Sequence, residues 1–312
     1  MYIGIDIGGT KCAVLLGDDV DGKPVIKEKI RFDTLDVKAT LDKIFDAVES
    51  LIKLGECSAI GISCGGPLDE NLGVILSPPN LPGWDEIKIC DMLTERFHIP
   101  AKLRNDANAC ALAEWKFGAG RGTKNMVFFT FGTGLGSGLI LDGRLYSGTN
   151  GNAGEAGHIR LAKTGPVGYG KAGSFEGFCS GGGIAKFAKA KAKLALKRGK
   201  PFAFAKTDEE IESITAKLIA EKANLGDKDA LALFRTVGKK LGEGLSVIID
   251  IINPEAIVIG SIYARNEKLL KPSMQKVINK EALGASASVC KVLPAELGES
   301  IGDVAALSVA ME

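Results

Sequence analysis

At 312 residues the chain exceeds what one hydrophobic core usually serves, and its 39 lysines and arginines against 38 acidic residues create no global field toward nucleic acid or an anionic membrane. Seven cysteines with no Cys-x-x-Cys pair read as a reduced, intracellular set, and two histidines leave little for triad or histidine-rich metal chemistry. Residues 1–7 read as a strand and not as a signal peptide, and no stretch of membrane-spanning length lacks charges or glycine clusters, so the expectation is a two-domain cytoplasmic protein.

Residues 1–7 and 12–16 are apolar, β-prone runs joined by Gly8-Gly9-Thr10-Lys11, which predicts a strand, a tight turn and a second strand. Gly17-Asp-Asp-Val-Asp-Gly-Lys-Pro24 has the glycine and lysine spacing of a P-loop, but proline replaces the magnesium-binding Ser or Thr, so it reads as a surface hairpin loop. A helix is predicted over 37–54, a buried strand over 59–64, an amphipathic helix over 87–97, a strand over 101–104 and a helix over 107–117. This alternation is an α/β pattern. Gly118-Ala-Gly-Arg-Gly-Thr123 has the composition of a hinge, and after it the opening returns: strand over 125–131, glycine turn over 132–136, strand over 138–141. Laying Gly9 on Gly134 also lays Val14-Leu15-Leu16 on Leu139-Ile140-Leu141, a weak internal repeat. The lysine-rich run 184–200 reads as a solvated helix with a buried stripe of Ile184, Phe187 and Leu194, balanced by acid at 208–212. Residues 228–252 predict a long helix, 256–259 and 288–293 strands, and 302–311 a closing helix.

Two glycine turns carrying hydroxyls, with Thr10 in one and Thr133 in the other, can present backbone N–H groups to a polyphosphate. Their recurrence at one place in two related halves is what a nucleotide bound between domains requires; the alternative is a pair of ordinary hairpins. Asn105-Asp106-Ala-Asn108 falls where a strand ends and a helix begins, the place where an α/β sheet exposes side chains to a ligand. A carboxylate there can accept the proton of an attacking hydroxyl, although Asp106 could equally cap the helix that follows. Gly154-Glu155-Ala-Gly-His158 and Phe175-Glu176 add polar groups among glycines, a mixture suited to a polyol, while His158 alone would read as a satisfied structural histidine.

Together with Gly65-Gly66-Pro67, Asn80-Leu-Pro-Gly-Trp84, Phe131-Gly-Thr-Gly-Leu-Gly136 and Asn253-Pro-Glu-Ala-Ile-Val-Ile-Gly260, these motifs resemble the ROK family of sugar kinases and repressors. The resemblance covers essentially the whole chain. It implies two actin-like, ribonuclease H-like α/β ATPase domains with a cleft between them, 1–118 plus 300–312 and 119–299. It further implies Asp106 as catalytic base, and Gly65, Gly66, Asn80, Asn105, Glu155, His158 and Glu176 as sugar ligands. Gly8, Gly9, Thr10, Lys11, Thr133 and Gly134 would lie along ATP phosphates, Asp6 near Mg2+ and Gly260 near adenine. The implied substrate is glucose phosphorylated at O6, with an N-acetylmannosamine or N-acetylglucosamine kinase, a fructokinase, or a catalytically silent sugar sensor as alternatives, and a homodimer as the implied assembly.

Two departures from the family pattern matter. Its zinc motif, C-x-C-G-x-x-G-C-x-E, aligns with residues 167–176, where Val167, Tyr169 and Ser174 replace the three thiolates, so no zinc is expected. Ser261 stands where a second glycine is usual beside the adenine.

Overall fold

The computed structural model describes residues 1–312. Strand β1 (Tyr2–Ile7) pairs antiparallel with β2 (Lys11–Val20), from Tyr2 opposite Gly17 to Ile7 opposite Cys12, and buries Ile3, Ile5, Val14 and Leu16. At Asp21 and Gly22, both with positive φ, β2 reverses into β3 (Lys23–Asp33), so the P-loop-like stretch is a surface hairpin whose first residues already belong to a strand. Helix α1 (Val37–Ile52), capped by Asp36 at the Ala39 N–H, turns Leu41, Ile44, Phe45, Val48 and Leu51 inward at helical spacing. Then follow β4 (Ala59–Cys64), the short pair β5 (Leu68–Asp69) and β6 (Val74–Ile75), α2 (Ile89–Phe97), β7 (Ala101–Asn105) and α3 (Asp106–Phe117).

The pattern then restarts with β8 (Met126–Phe129), β9 (Ser137–Leu141) and β10 (Arg144–Leu145). A small hairpin, β11 (Val167–Gly168) and β12 (Lys171–Ala172), precedes α4 (Phe175–Phe178), α5 (Gly181–Lys197), α6 (Asp208–Glu212), α7 (Ala216–Asn224) and α8 (Lys228–Ile252). Strand β13 (Ala256–Ile259), α9 (Ser261–Glu281), α10 (Gly284–Val289), β14 (Lys291–Pro294) and α11 (Ile301–Ala310) complete the chain. The two five-stranded sheets are ordered β3-β2-β1-β4-β7 and β10-β9-β8-β13-β14. Each is an antiparallel meander in third, second, first order, followed by two later strands, which is the structural form of the repeat seen in the sequence.

The chain divides into two compact units, residues 1–128 with 138–153 and 296–312, and residues 129–137 with 154–295. In the first, α11 packs on β1, β4 and α3 and is apolar nearly all round, with Val304, Ala306, Leu307 and Val309 buried. No helix is long and apolar enough to cross a membrane.

Two expectations need correction. Residues 284–289 are small and form α10, so the strand predicted over 288–293 begins only at Lys291, where β14 joins β13 in parallel register. On α5 the buried stripe is Ile184, Ala188 and Ala192, whereas Leu194 is exposed, because an i, i+4, i+8 row of small residues lets the helix lie close. Its outer lysines do meet the predicted acid, Lys189 and Lys193 both reaching Glu212.

Candidate functional site

In the first unit β1, β4 and β7 run parallel, and their register aligns Ile7 with Cys64 and Cys64 with Asn105. Three motifs far apart in sequence therefore end in one row: the Gly8–Lys11 turn, Gly65-Gly66, and Asn105-Asp106. The carboxyl end of parallel strands is where open α/β sheets hold ligands. The Gly8 N–H closes the turn on the Lys11 carbonyl at 3.1 Å, and the Gly9 and Thr10 N–H groups bond to no protein acceptor. A Cβ on Gly9 would stand 2.5 Å from the Asn80 carbonyl oxygen, so glycine is required for this approach. Asn80 is there because buried Leu81 and Trp84 anchor its loop in the core and leave Asn80 itself exposed.

Asn105, and not Asp106, caps α3, its side chain accepting the Ala107 N–H at 3.0 Å. The capping role considered for Asp106 is thus shared with its neighbour: Asp106 Oδ1 also accepts that N–H at 2.8 Å, while the residue remains exposed. Protein crowded around it raises its pKa above the ordinary aspartate value, and the Ala107 N–H opposes the rise. Asp6 is pushed up to about 6, first by burial and then by the charges of Asp303 and Asp106, against the opposing Lys29 and Arg31. Lys29 is itself paired with Asp303 at 2.6 Å.

In the second unit the Gly132–Gly136 turn is held differently. Gly132 N–H donates to the Gly134 carbonyl at 3.0 Å, Gly136 N–H to the Thr130 hydroxyl at 3.0 Å, and Leu135 N–H to Glu176 Oε2 at 3.1 Å. The N–H groups of Thr133 and Gly134 find no protein acceptor. A Cβ on Gly134 would sit 2.9 Å from Glu176 Oε2, so one oxygen of this expected sugar ligand is committed to the glycine turn. Glu155 precedes and His158 ends a short 3-10 turn, and both are exposed.

The loop aligned with the zinc motif is organised without thiolates. Ser174 caps α4 by accepting the Gly177 N–H at 3.1 Å, Lys171 Nζ donates to the His158 carbonyl at 2.8 Å, and Arg160 donates to the Ala172 carbonyl at 2.7 Å. Val167 sits in the β11–β12 hairpin and Tyr169 at its tip, where Tyr169 is 83% exposed and meets the His158 ring edge-on at 6.1 Å between centroids.

Sequence reasoning missed a cavity of about 410 Å³ beside Thr133, lined by Gly181, Gly182, Thr215, Lys217, Ser261 and Ile262 among others. The N-termini of α5, α7 and α9 all contribute to it, so three positive dipole ends and one lysine face the same space. Gly260, the expected adenine neighbour, precedes the lining residue Ser261. Ser261 itself has φ 48°, the left-handed conformation a glycine would adopt freely, and its hydroxyl accepts from Arg265 at 2.9 Å. The Ser180-Gly-Gly-Gly183 run was the available signal for this cavity, since glycines at a helix start expose N–H groups.

A family model described as the ROK family matches residues 2–312. The glucokinase of Streptomyces coelicolor is 31% identical over 314 residues, spanning 100% of this chain and 98% of that protein. The glucokinase of Thermotoga maritima is 32% identical over 315 residues, spanning 99% of this chain and 97% of that protein. Among solved structures, a ROK family glucokinase from Streptomyces griseus in complex with glucose and AMPPNP superposes with a TM-score of 0.76 at 31% identity, covering 99% of each chain.

Proposed function

The chain belongs to the ROK family, and from that premise we propose roles for its residues in the transfer of a phosphoryl group from ATP to a sugar hydroxyl. The protein is an ATP-dependent sugar kinase, and glucose is its substrate by its likeness to full-length glucokinases. In the reaction the O6 hydroxyl of glucose attacks the γ-phosphorus, its proton passes to the Asp106 carboxylate, and the bond to the β-γ bridging oxygen breaks to release ADP. The observation that carries this assignment is the exposed Asp106 at the common end of three parallel strands, beside Asn105, which holds the N-cap position of α3. Burial raises the Asp106 pKa, the direction that makes a carboxylate a stronger base, and such help is worth ~10²–10⁴ in rate.

Gly65, Gly66, Asn80 and Asn105 would hold ring hydroxyls, while Glu155, His158 and Glu176 would hold the anomeric end of the sugar. The unpaired N–H groups of Gly9, Thr10, Thr133 and Gly134 suit phosphate oxygens, with Lys11 adding charge. The cavity at the three helix starts suits the nucleoside portion of ATP, beside Gly260. Magnesium fits the first unit: Asp6, lifted to about 6 chiefly by burial, is raised further by the charges of Asp303 and Asp106, and a divalent cation would relieve that repulsion. No closed cage of protein ligands exists, as suits an ion held mainly by nucleotide phosphates. When bound it would neutralise charge developing on those phosphates.

A second reading, an N-acetylhexosamine as acceptor, is favoured by the loop beside His158, where a hairpin with an exposed Tyr169 stands in place of a metal-clamped turn. ATP consumption measured with glucose, fructose, mannose, N-acetylmannosamine and N-acetylglucosamine separates the readings. Turnover with glucose ahead of the others supports the first, and no turnover with any of them rejects the kinase assignment itself.

A further inference from the structure

Glu70 follows β5 in a loop whose tip is closed by Asp69, which accepts the Asn71 and Leu72 N–H groups. The Glu70 side chain is 1% exposed. Its Oε1 accepts the Asn105 N–H at 2.9 Å and the Asn108 side-chain amide at 2.7 Å. Its Oε2 accepts the Ser147 hydroxyl at 2.7 Å and lies 3.5 Å from Arg104 Nη1, and Arg104 in turn grips the Glu312 carboxylate at 2.8 and 2.9 Å. A carboxylate withdrawn from water is costly unless donors surround it, and here four groups do.

Two of those donors bracket Asp106: the backbone of the residue before it and the side chain of the residue two after it. Asn105 is thereby fixed from both sides, its N–H by Glu70 and its side chain by the Ala107 N–H, and Asn108 is 2% exposed with its amide directed at the same oxygen. The direction in which Asp106 leaves the backbone follows from these constraints. We propose that Glu70 is a positioning residue for the reaction, aiming Asp106 by holding Asn105 and Asn108, with Ser147 and Arg104 holding Glu70. The proposal rests on Asp106 as the base. Glutamate suits the site because the Asn105 N–H, the Asn108 amide nitrogen and Arg104 can only donate; a glutamine would turn an N–H₂ group toward one of them, and only the Ser147 hydroxyl could accept it. Reaction rates are sensitive to small displacements of catalytic groups, about 10² for roughly 1 Å.

The test uses the full-length protein with Glu70→Gln, Ser147→Ala and Asp106→Asn, alone and combined, reading kcat, KM for sugar and for ATP, and thermal midpoint. The expected result is a fall in kcat of at least about tenfold for Glu70→Gln with sugar KM within about threefold of wild type, and a smaller fall in kcat for Ser147→Ala. In the Asp106→Asn background, Glu70→Gln should cost less than about twofold further, because the group it aims has gone. A Glu70→Gln protein with wild-type kcat and a lowered midpoint would reduce Glu70 to a structural role, and a raised KM at unchanged kcat would make it a substrate contact; either overturns the proposal. If Glu70→Gln does not fold, unchanged kcat in Ser147→Ala overturns it. Substantial turnover by Asp106→Asn alone is a separate outcome, which removes the base and this proposal with it.

Discussion

The turn at Gly8–Lys11 and the turn at Gly132–Gly136 close equivalent hairpins of two sheets with one strand order, and each leaves two N–H groups unpaired. What stands behind them differs. Around the first are carboxylates, Asp6, Asp106 and Asp303, and burial together with the charges of Asp303 and Asp106 raises Asp6 to about 6. Beside the second are the starts of three helices and Lys217, with a single carboxylate, Glu176, spent on the turn itself. On the proposed reading both turns meet phosphate, and the duplicated frame differs in what is added: proton and cation chemistry at the first, nucleoside binding at the second.

The sharpest way to break this division is at Asp106. Replacing it with asparagine should lower kcat by ~10²–10⁴ with the fold and most of the sugar affinity intact, and retention of more than about a tenth of wild-type turnover would remove it as base. Its raised pKa also sets a sign. The base works ionised, so kcat/KM should fall as pH drops through an apparent pKa above 3.8, the ordinary value, and Asp106→Asn should flatten that limb.

The turns themselves offer the next test. A methyl group on Gly9 meets the Asn80 carbonyl at 2.5 Å, whereas one on Gly134 meets a carboxylate oxygen of Glu176 at 2.9 Å. Backbone yields less than the end of a side chain, so Gly9→Ala should cost about tenfold or more in kcat/KM and Gly134→Ala several-fold less. Equal losses in steady-state assays would mean that the two turns are backed alike. A smaller effect is expected at Ser261, whose φ of 48° strains a non-glycine residue. Ser261→Gly should raise stability in denaturant melts by up to ~1 kcal/mol, less what the Arg265 hydrogen bond contributes; a loss of more than about that amount would show that the bond outweighs the strain. No effect at all is expected from zinc. Elemental analysis of protein prepared without chelators should find far less than one zinc per chain, and a stoichiometric content would show that other ligands had replaced Val167, Tyr169 and Ser174.

Both turns, the Asn105-Asp106-Ala-Asn108 motif and the α/β alternation were legible in the sequence because each is a local pattern: period, glycine, and polar residues at a strand end. Glu70 was not. A glutamate after Asp69 in a loop reads as a solvated turn residue, and its partners Asn105, Asn108 and Ser147 come from other segments. The cavity was hidden for the same reason, since three helix starts meet there only after folding. The misplaced strand over 288–293 and the misassigned Leu194 share another cause, that rows of alanine and serine pack or coil by size and context more than by hydrophobicity.

The central claim is that this protein phosphorylates glucose at O6 with ATP. Its most direct test follows the reaction by phosphorus NMR to identify the product and compares kcat/KM for glucose with the values for fructose, mannose, N-acetylmannosamine and N-acetylglucosamine. The account predicts glucose 6-phosphate and ADP in equal amounts, with glucose leading the panel. An N-acetylhexosamine ahead of glucose by about tenfold, roughly 1.4 kcal/mol of transition-state preference, or a phosphate on any hydroxyl other than O6, would contradict it.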